Sequence, residues 1–296
     1  MDSKIRKKYL TINPDDMKWG MVVNSVGRQS IAENEVYPPS NHPTRYLFDA
    51  KKGRVLNEYQ LLYIVKGKGT LATQSCGQRT IHEGQMFLLF PGEWHTYRPD
   101  ESTGWHEYWI SFNGKIMDER VRDGFFFKES PIFNIGLNED IITLYKRALI
   151  IADAQEANYQ QALTGIVFNL VSMAIYLSRN KDFEKSDIAY RITQSKIAVS
   201  ENISTVTPES LAQIACMSYS KFRKIFKEYT GFAPSQYIQE VRMSIAKELL
   251  TNTSKSIKEI ALELGYENKD YFFTVFKRVT GTTPISYRDF SQGKHL

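Results

Sequence analysis

The chain of 296 residues is poor in the groups that staple or charge a scaffold. Its two cysteines, Cys76 and Cys216, are too few and too far apart for a disulfide framework or a zinc-ligand set. That usage suits a reducing compartment, so the cytoplasm is the expected location. The five histidines include no His-x-His pair, and His82, His95 and His106 stand isolated, short of the ligand count of a metal site. No nucleophile elbow, Gly-rich phosphate loop or His-Glu-x-x-His helix occurs. The most apolar stretch, Gly165–Leu177 (GIVFNLVSMAIYL), is shorter than a bilayer span and contains Asn169 and Ser172, so it reads as a buried or subunit-contacting helix. The opening MDSKIRKKYL has charge without an apolar run behind it, which is not a signal peptide. These absences exclude no fold, but they weigh against a metalloenzyme, a nucleotide hydrolase, a disulfide-built secreted domain and a membrane protein, and no cofactor is expected. Charge of neither sign dominates. Residues 187–296 hold 15 Lys and Arg against 11 Asp and Glu, leaving 23 against 22 to the rest, so the small basic excess sits in the C-terminal third, as in a nucleic-acid binder.

What is present is an internal repeat. Residues 222–238 (FRKIFKEYTGFAPSQYI) and 272–288 (FFTVFKRVTGTTPISYR) share seven identities at one offset of fifty: Phe222/Phe272, Phe226/Phe276, Lys227/Lys277, Thr230/Thr280, Gly231/Gly281, Pro234/Pro284 and Tyr237/Tyr287. A fixed-offset repeat means that one structural unit is used twice. Phe at i and i+4 shares one helix face, and Lys221, Arg223, Lys224 and Lys227 fall on the other. A preceding short helix completes each unit. Thr207-Pro208 is an N-cap with Pro at the first helical position, and Ser256 with Glu259 is a capping box. Ala212 matches Ala261 at an offset of forty-nine, so the second turn is one residue longer. Each half reads helix, short turn, helix. The bland alternative is a helical hairpin used twice for packing alone. The basic residues favour a DNA reader, because they lie on the second helix of the first unit, where a groove-reading helix carries them.

On these residues, 187–290 resembles the DNA-binding domain of the AraC/XylS family of bacterial transcription regulators. The most specific stretches are TPESLAQIACMSYSKFRKIFKEYTGFAPSQYI and IKEIALELGYENKDYFFTVFKRVTGTTPISYR. The resemblance implies two helix-turn-helix units joined by a long helix, here Pro234–Leu250, with Tyr237, Val241, Ile245 and Leu249 as an apolar stripe. Family members often carry Gly where this chain has Cys216. The resemblance places Ser220, Arg223 and Lys224 of the first unit, and Asp270, Tyr271 and Thr274 of the second, at base-facing positions. Arg223 suits guanine O6 and N7. Lys227 and Lys277 suit phosphates, and Lys221 and Lys269 complete the candidate DNA-binding set. Asp270 could accept from cytosine N4 or cap its helix, and capping is the preferred reading.

The N-terminal half changes pattern. From about Arg45 to Gly114, the runs Tyr59–Val65, Gly69–Thr73, Gln78–Ile81, Gln85–Phe90 and Tyr108–Phe112 are short and β-rich, with Gly and Pro between them, which indicates a β-sandwich or barrel. The phrase from Gly84 to His95 (GQMFLLFPGEWH) resembles a cupin barrel motif, and YIVKGKGTL and WHEYWISFNG resemble the sensor domain that precedes DNA-binding domains of this family. The resemblance implies an effector in the barrel, expected to be a sugar. Arg45, Tyr63, Trp94, His95, Tyr97, Trp105 and Trp109 are the candidates, since sugar rings stack on aromatic faces while hydroxyls pair with polar groups. About half of them are expected simply to fill the barrel.

The fold expected is multidomain α+β. A cupin-like effector domain spans 1–136, a helical dimerisation segment 137–179, a polar linker 180–186 and a double helix-turn-helix domain 187–296. Two helices are expected at 138–153 and 156–178, with Ile166, Leu170, Met173 and Leu177 as a seam that either forms the dimer or packs on its own barrel. The expected partners are promoter or operator DNA, a small effector and a second copy of the chain, with RNA polymerase as a further candidate and no membrane. The rival readings are a sugar-converting cupin enzyme and an effector-independent DNA-binding protein.

Overall fold

Alternating apolar residues organise the first half of the molecule. The computed structural model describes residues 5–37, 51–184 and 187–293, in two units, Met1–Asp182 and Phe183–Leu296. The first unit contains β1 (Ile5–Tyr9), α1 (Pro14–Lys18), β2 (Val22–Ile31), β3 (Arg54–Val55), β4 (Tyr59–Thr73), β5 (Gly77–His82), β6 (Gln85–Leu89), β7 (Trp94–Pro99), β8 (Trp105–Asn113), α2 (Lys115–Arg122), β9 (Ile132–Asn134) and α3 (Glu139–Ala154). The strand pairings are antiparallel. The runs Tyr59–Val65 and Gly69–Thr73, expected as separate strands, are one 15-residue strand. Its first half pairs with β6 and β8, and its second half pairs with β5 and β7, with an irregularity between Ile64 and Lys66 opposite β8. One strand thus belongs to both layers of a cupin-like barrel. β1 and β2 precede the region in which strands were expected.

Successive side chains of a strand point to opposite faces, and the core splits accordingly. Leu61 and Tyr63 of β4 and Tyr108, Ile110 and Phe112 of β8 pack with Ile141, Tyr145 and Leu149 of α3. Leu62, Ile64, Phe87, Leu89, Tyr97, Trp105 and Trp109 face the other way, into the barrel.

The helix α4 (Tyr159–Glu184) begins in the same core and runs on through residues 180–184, which were expected to be linker. By length and mean hydropathy, 1.4 over its most apolar window, its Tyr159–Lys181 stretch could cross a membrane, longer than the thirteen residues that stand out in the sequence. That apolar character serves the domain core: Leu163, Ile166, Val167, Leu170, Val171 and Ala174 are buried in it. Met173 and Leu177 pack against the same cluster. Of the two readings left open for the seam Ile166-Leu170-Met173-Leu177, this packing supports the one in which it lies against its own barrel domain.

The second unit is all helical: α5 (Ile188–Glu201), α6 (Pro208–Ile214), α7 (Tyr219–Thr230), α8 (Pro234–Asn252), α9 (Ile257–Glu263), α10 (Lys269–Thr280) and α11 (Pro284–Ser291). Thr207 and Ser256 cap α6 and α9 through capping boxes, with Ser210 and Glu259 as the reciprocal partners. The repeat survives at atomic detail. Thr230 and Thr280 each donate Oγ1–H to the carbonyl four residues back, at 2.7 and 2.8 Å. Tyr237 and Tyr287 set their rings edge-on to Phe226 and Phe276, at 5.3 and 5.6 Å. Pro234 and Pro284 open the following helices, and Gly231 and Gly281 end the preceding ones in the left-handed region. Each fully buried Phe is worth about 1.5–3 kcal/mol of burial.

The long helix α8 serves both halves. Tyr237, Ile238 and Val241 pack in the cluster of the first unit, while Met243, Ile245, Ala246, Leu249 and Leu250 pack in that of the second. The expected stripe Tyr237-Val241-Ile245-Leu249 is only half-buried. The fully buried line lies beside it, at Ile238, Met243, Ala246 and Leu250, because the helix is gripped from two sides rather than along one seam.

Candidate nucleic-acid interface and ligand site

α7 and α10 are the second helices of their units, and each presents a solvent face. All ten candidate DNA-binding residues, Ser220, Lys221, Arg223, Lys224, Lys227, Lys269, Asp270, Tyr271, Thr274 and Lys277, are exposed, while Phe222, Phe226, Phe272 and Phe276 fix the inner faces. On α7 four cations therefore line one surface within two turns. On α10 the surface is different. Asn268 caps the helix, accepting from the amides of Asp270 and Tyr271 at 2.8 and 3.1 Å. The expectation that Asp270 is the cap is thus corrected; its carboxylate lies in the first turn, where the helix dipole favours negative charge. Thr274 donates its hydroxyl hydrogen to the Asp270 carbonyl at 3.0 Å, which leaves an acceptor and a methyl group facing outward. Tyr271 is 60% exposed with its ring 6.1 Å from that of Tyr266, and the Lys269 ammonium sits 5.4 Å from the Phe273 ring.

In the barrel the alternation decides which candidates meet. Tyr97 and Trp105 line the interior. His95 shares the Tyr97 face of β7, with the two rings stacked at 6.4 Å. Arg54, which the sequence reading passed over, sends its Nε–H toward His95 Nε2 at 3.4 Å and an Nη2–H to the Tyr97 hydroxyl at 3.2 Å. The Glu93 carbonyl can only accept, so His95 Nδ1, 3.1 Å from it, carries the proton and Nε2 is the acceptor. Burial, aided by the Arg54 charge, pulls His95 down to about 4, so its ring is neutral at pH 7. Burial pushes Tyr97 up to about 12.

Three further polar residues occupy the interior face and were missed: Gln29 of β2, Gln60 of β4 and Glu107 of β8. All are buried, at 3%, 6% and 3% exposure. Glu107 lies between Trp105 and Trp109 on one strand face, opposite Gln29 on one side and Ile64 on the other. Burial pushes its carboxyl up to about 8, although Arg54 pulls the other way. Glu107 Oε2, Trp105 Nε1 and Gln60 Oε1 have no hydrogen-bond partner among the described residues. Buried polar groups ordinarily find partners, so such a set needs a reason. The sequence did hold a signal: an acidic residue at the inward phase of a strand between two tryptophans. Trp109 lies so close over Gly27 that a Cβ there would meet its ring at 2.2 Å.

Two candidates do not join this site. Tyr63 points to the opposite face of β4, stacks on Tyr145 at 6.5 Å and donates its hydroxyl to the Gly136 carbonyl at 2.8 Å. Trp94 falls on the outer phase of β7, against Gly53, and donates Nε1–H to the Lys52 carbonyl at 3.0 Å. Both are corrected from ligand contacts to packing residues. Arg45 lies outside the described residues. Near Trp105, a cleft of about 350 Å³ is lined by Ile31, Tyr37, Arg98 and Asp100 among others, with the Tyr37 ring edge-on to Trp105 at 6.5 Å.

Comparison with known proteins matches both halves. Residues 34–165 fit the model of an AraC-like ligand binding domain, and residues 211–289 fit that of a helix-turn-helix domain. The chain is 27% identical over 248 residues to the raffinose operon transcriptional regulatory protein RafR of Pediococcus pentosaceus, covering 80% of this chain and 87% of that one. It is 25% identical over 254 residues to the arabinose operon regulatory protein of Escherichia coli K12, covering 80% of each. Among solved structures, the DNA-binding domain of the transcriptional factor AdpA, in complex with a target DNA, is 27% identical and covers 37% of this chain and 97% of that one, with a TM-score of 0.34.

Proposed function

Since the chain belongs to the AraC family of transcription regulators and pairs a ligand-binding barrel with a double helix-turn-helix domain, we propose that it is a sugar-responsive regulator acting as a homodimer on operator DNA in the cytoplasm. The observation that carries the sugar reading is the barrel interior, where buried polar groups without partners, Glu107 Oε2 and Trp105 Nε1, stand among the aromatic rings of Tyr97, Trp105 and Trp109. Sites for small polar ligands combine apolar walls with a few placed polar groups. Two relatives that span most of this chain carry the names of raffinose and arabinose operon regulators, which agrees with that class. They are regulators by name, and we read the barrel as a receptor rather than an enzyme.

DNA is read by α7 and α10. Two reading helices on one linking helix suit successive major grooves, about 34 Å apart along the duplex. Arg223 contacts guanine, and Lys227 and Lys277 contact phosphates. Effector binding shifts the balance between two states of the dimer, which requires that the sugar bind them with different affinity. RNA polymerase is the partner expected at an activated promoter.

The test is selection of duplexes from a random pool by the full chain, followed by binding to the winner and to a scrambled duplex at the same salt, with and without raffinose or arabinose. An enriched motif bound well above the scrambled duplex, with an affinity that a sugar changes, is expected. Enrichment without any sugar response in a broad panel would leave a DNA reader but remove the sugar effector. No enrichment would remove the regulator.

A further inference from the structure

The unpartnered carboxyl oxygen Oε2 of Glu107 carries an inference beyond the class of effector, one that rests on the sugar-receptor reading above. Glu107 is 3% exposed, lies on the interior face between Trp105 and Trp109, and leaves Oε2 without a hydrogen-bond partner among the described residues. Leaving a buried carboxyl unpaired disfavours the folded protein. A purely structural role does not account for it, since Gln or Leu would fill the same space without an ionisable group. The neighbouring cation does not resolve it either. Arg54 directs Nε–H toward His95 and Nη2–H to Tyr97, and no ion pair joins it to Glu107 within 4.0 Å.

We propose that Glu107 is the specificity-determining residue of the receptor, accepting hydrogen bonds from hydroxyls of a neutral sugar and discriminating against sugar phosphates and sugar acids. The open groups favour such a ligand. Glu107 Oε2 and Gln60 Oε1 are acceptors in need of a donor, whereas Trp105 Nε1 is a donor. A hydroxyl can satisfy either kind. A phosphate or carboxylate brings charged acceptors, which would hold the Glu107 carboxyl protonated and leave the Gln60 acceptor without a donor. The residues Trp105 and Glu107 lie two apart on one strand face, roughly 6–7 Å along it, which is within the reach of one sugar ring.

The assignment implies a sign for the pH dependence. Burial holds the free carboxyl up at about 8, so it is largely protonated at pH 7. Hydrogen bonds from ligand hydroxyls favour the ionised form. Binding of a neutral sugar therefore releases a proton, and affinity rises with pH up to about 8, by at most tenfold per pH unit for one proton. An anionic ligand does the opposite. The groups around Glu107 stay constant in that range. Burial holds His95 down at about 4 and Tyr97 up at about 12, Tyr37 is raised well above the ordinary tyrosine value, and Gln29, Ile64, Trp105 and Trp109 do not titrate.

The experiment is a calorimetric and thermal-shift titration of the full chain with raffinose, arabinose, galactose, glucose 6-phosphate and galacturonate, at pH 6, 7 and 8, with Glu107→Gln alongside. The expected result is that a neutral sugar binds the natural chain, more tightly at pH 8 than at pH 6. Glu107→Gln should weaken it by roughly tenfold or more and abolish its pH dependence. Without ligand, the variant should melt at least as high as the natural chain at pH 8. Equal sugar binding by both proteins overturns the role of Glu107 and leaves the sugar receptor standing. Preference for the phosphate or the sugar acid, or tighter binding at low pH, overturns the neutral class. A variant that unfolds or melts far lower at every pH shows a structural carboxyl and also overturns the assignment. No response of the natural chain to any sugar, with the protein folded, overturns the receptor reading and this inference with it.

Discussion

The first helix-turn-helix unit turns its corner at Cys216 with φ of +51°, the second at Gly265 with φ of +79°. The first then presents Ser220, Lys221, Arg223, Lys224 and Lys227, the second Lys269, Asp270, Tyr271, Thr274 and Lys277. Their inner faces hardly differ. Of the seven identities between the two halves, six are a ring, a cap or a turn of the scaffold, and Lys227/Lys277 is the one pair of long side chains among them that is exposed. The two halves agree in what holds the helices in place and differ in what they expose. Sequence-specific readers are therefore to be sought among the positions at which the halves disagree, and the shared lysine pair fits contacts that carry no sequence information.

The largest expected effect tests the sameness of the scaffolds. Phe226→Ala and Phe276→Ala each empty a fully buried ring site, and each should cost about 3–5 kcal/mol of stability, measured by denaturant unfolding. The two clusters are separate, with Ile203 packed against both. Amide exchange should thus show lost protection chiefly in the mutated half. Equal loss in both halves would mean that α8 fuses them into one cooperative core.

These scaffolds were legible in the sequence because their signals are local. A cap lies three residues from its partner, an i,i+4 Phe pair shares a face by helix geometry alone, and the offset of fifty needs no tertiary knowledge. The barrel was less legible because its signals depend on pairing. Pro91-Gly92 interrupts the register, so the inward phase of β7 was open until Leu71↔Tyr97 and Thr73↔His95 were seen to pair; Trp94 then fell outside and His95 inside. The face of Tyr63 is set by α3, through Tyr145, which is distant in sequence. β2 was missed because its inward positions Ser25, Gly27 and Gln29 are polar or small, which blurs the alternation that marks a strand. Glu107 was passed over for a related reason: in a strand an acidic residue reads as solvent-facing until both of its neighbours across the sheet are known to be covered.

A smaller effect tests the difference between the reading faces. Arg223→Ala removes a candidate bidentate contact to guanine and should cost about 1–3 kcal/mol of binding while relaxing preference at one base pair. Asp270→Ala should change preference in the other half of the site, and the removal of a charge that repels phosphate should offset any affinity it loses. Lys227→Ala and Lys277→Ala should behave alike despite lying in unlike units. Each should weaken cognate and random DNA equally and reduce the salt slope by about one unit. All these side chains are exposed, so melting temperatures should hold. The division fails if Arg223→Ala weakens random DNA as much as cognate, or if either lysine variant alters base preference.

The smallest expected effect concerns the turns. Cys216 is exposed and its thiol lies 3.9 Å from the Ile214 carbonyl, so its side chain contributes little packing. A non-glycine residue in the left-handed region costs about 1–2 kcal/mol. Glycine would remove that strain but adds freedom to the unfolded chain worth about 0.4–1 kcal/mol. Cys216→Gly should therefore stabilise the first unit by about 0.5–1 kcal/mol, the difference of those two effects. The second turn does not tolerate the reverse exchange, because a Cβ on Gly265 would stand 2.1 Å from the Ser204 carbonyl oxygen. The asymmetry is one of surroundings as well as of residue: Cys216 in the first turn is exposed, whereas Gly265 in the second lies against the backbone of Ser204. Urea unfolding of Cys216→Gly decides the matter. A loss of stability would show that the cysteine side chain holds the first turn, and that the two corners differ in their contacts more than in their backbone strain.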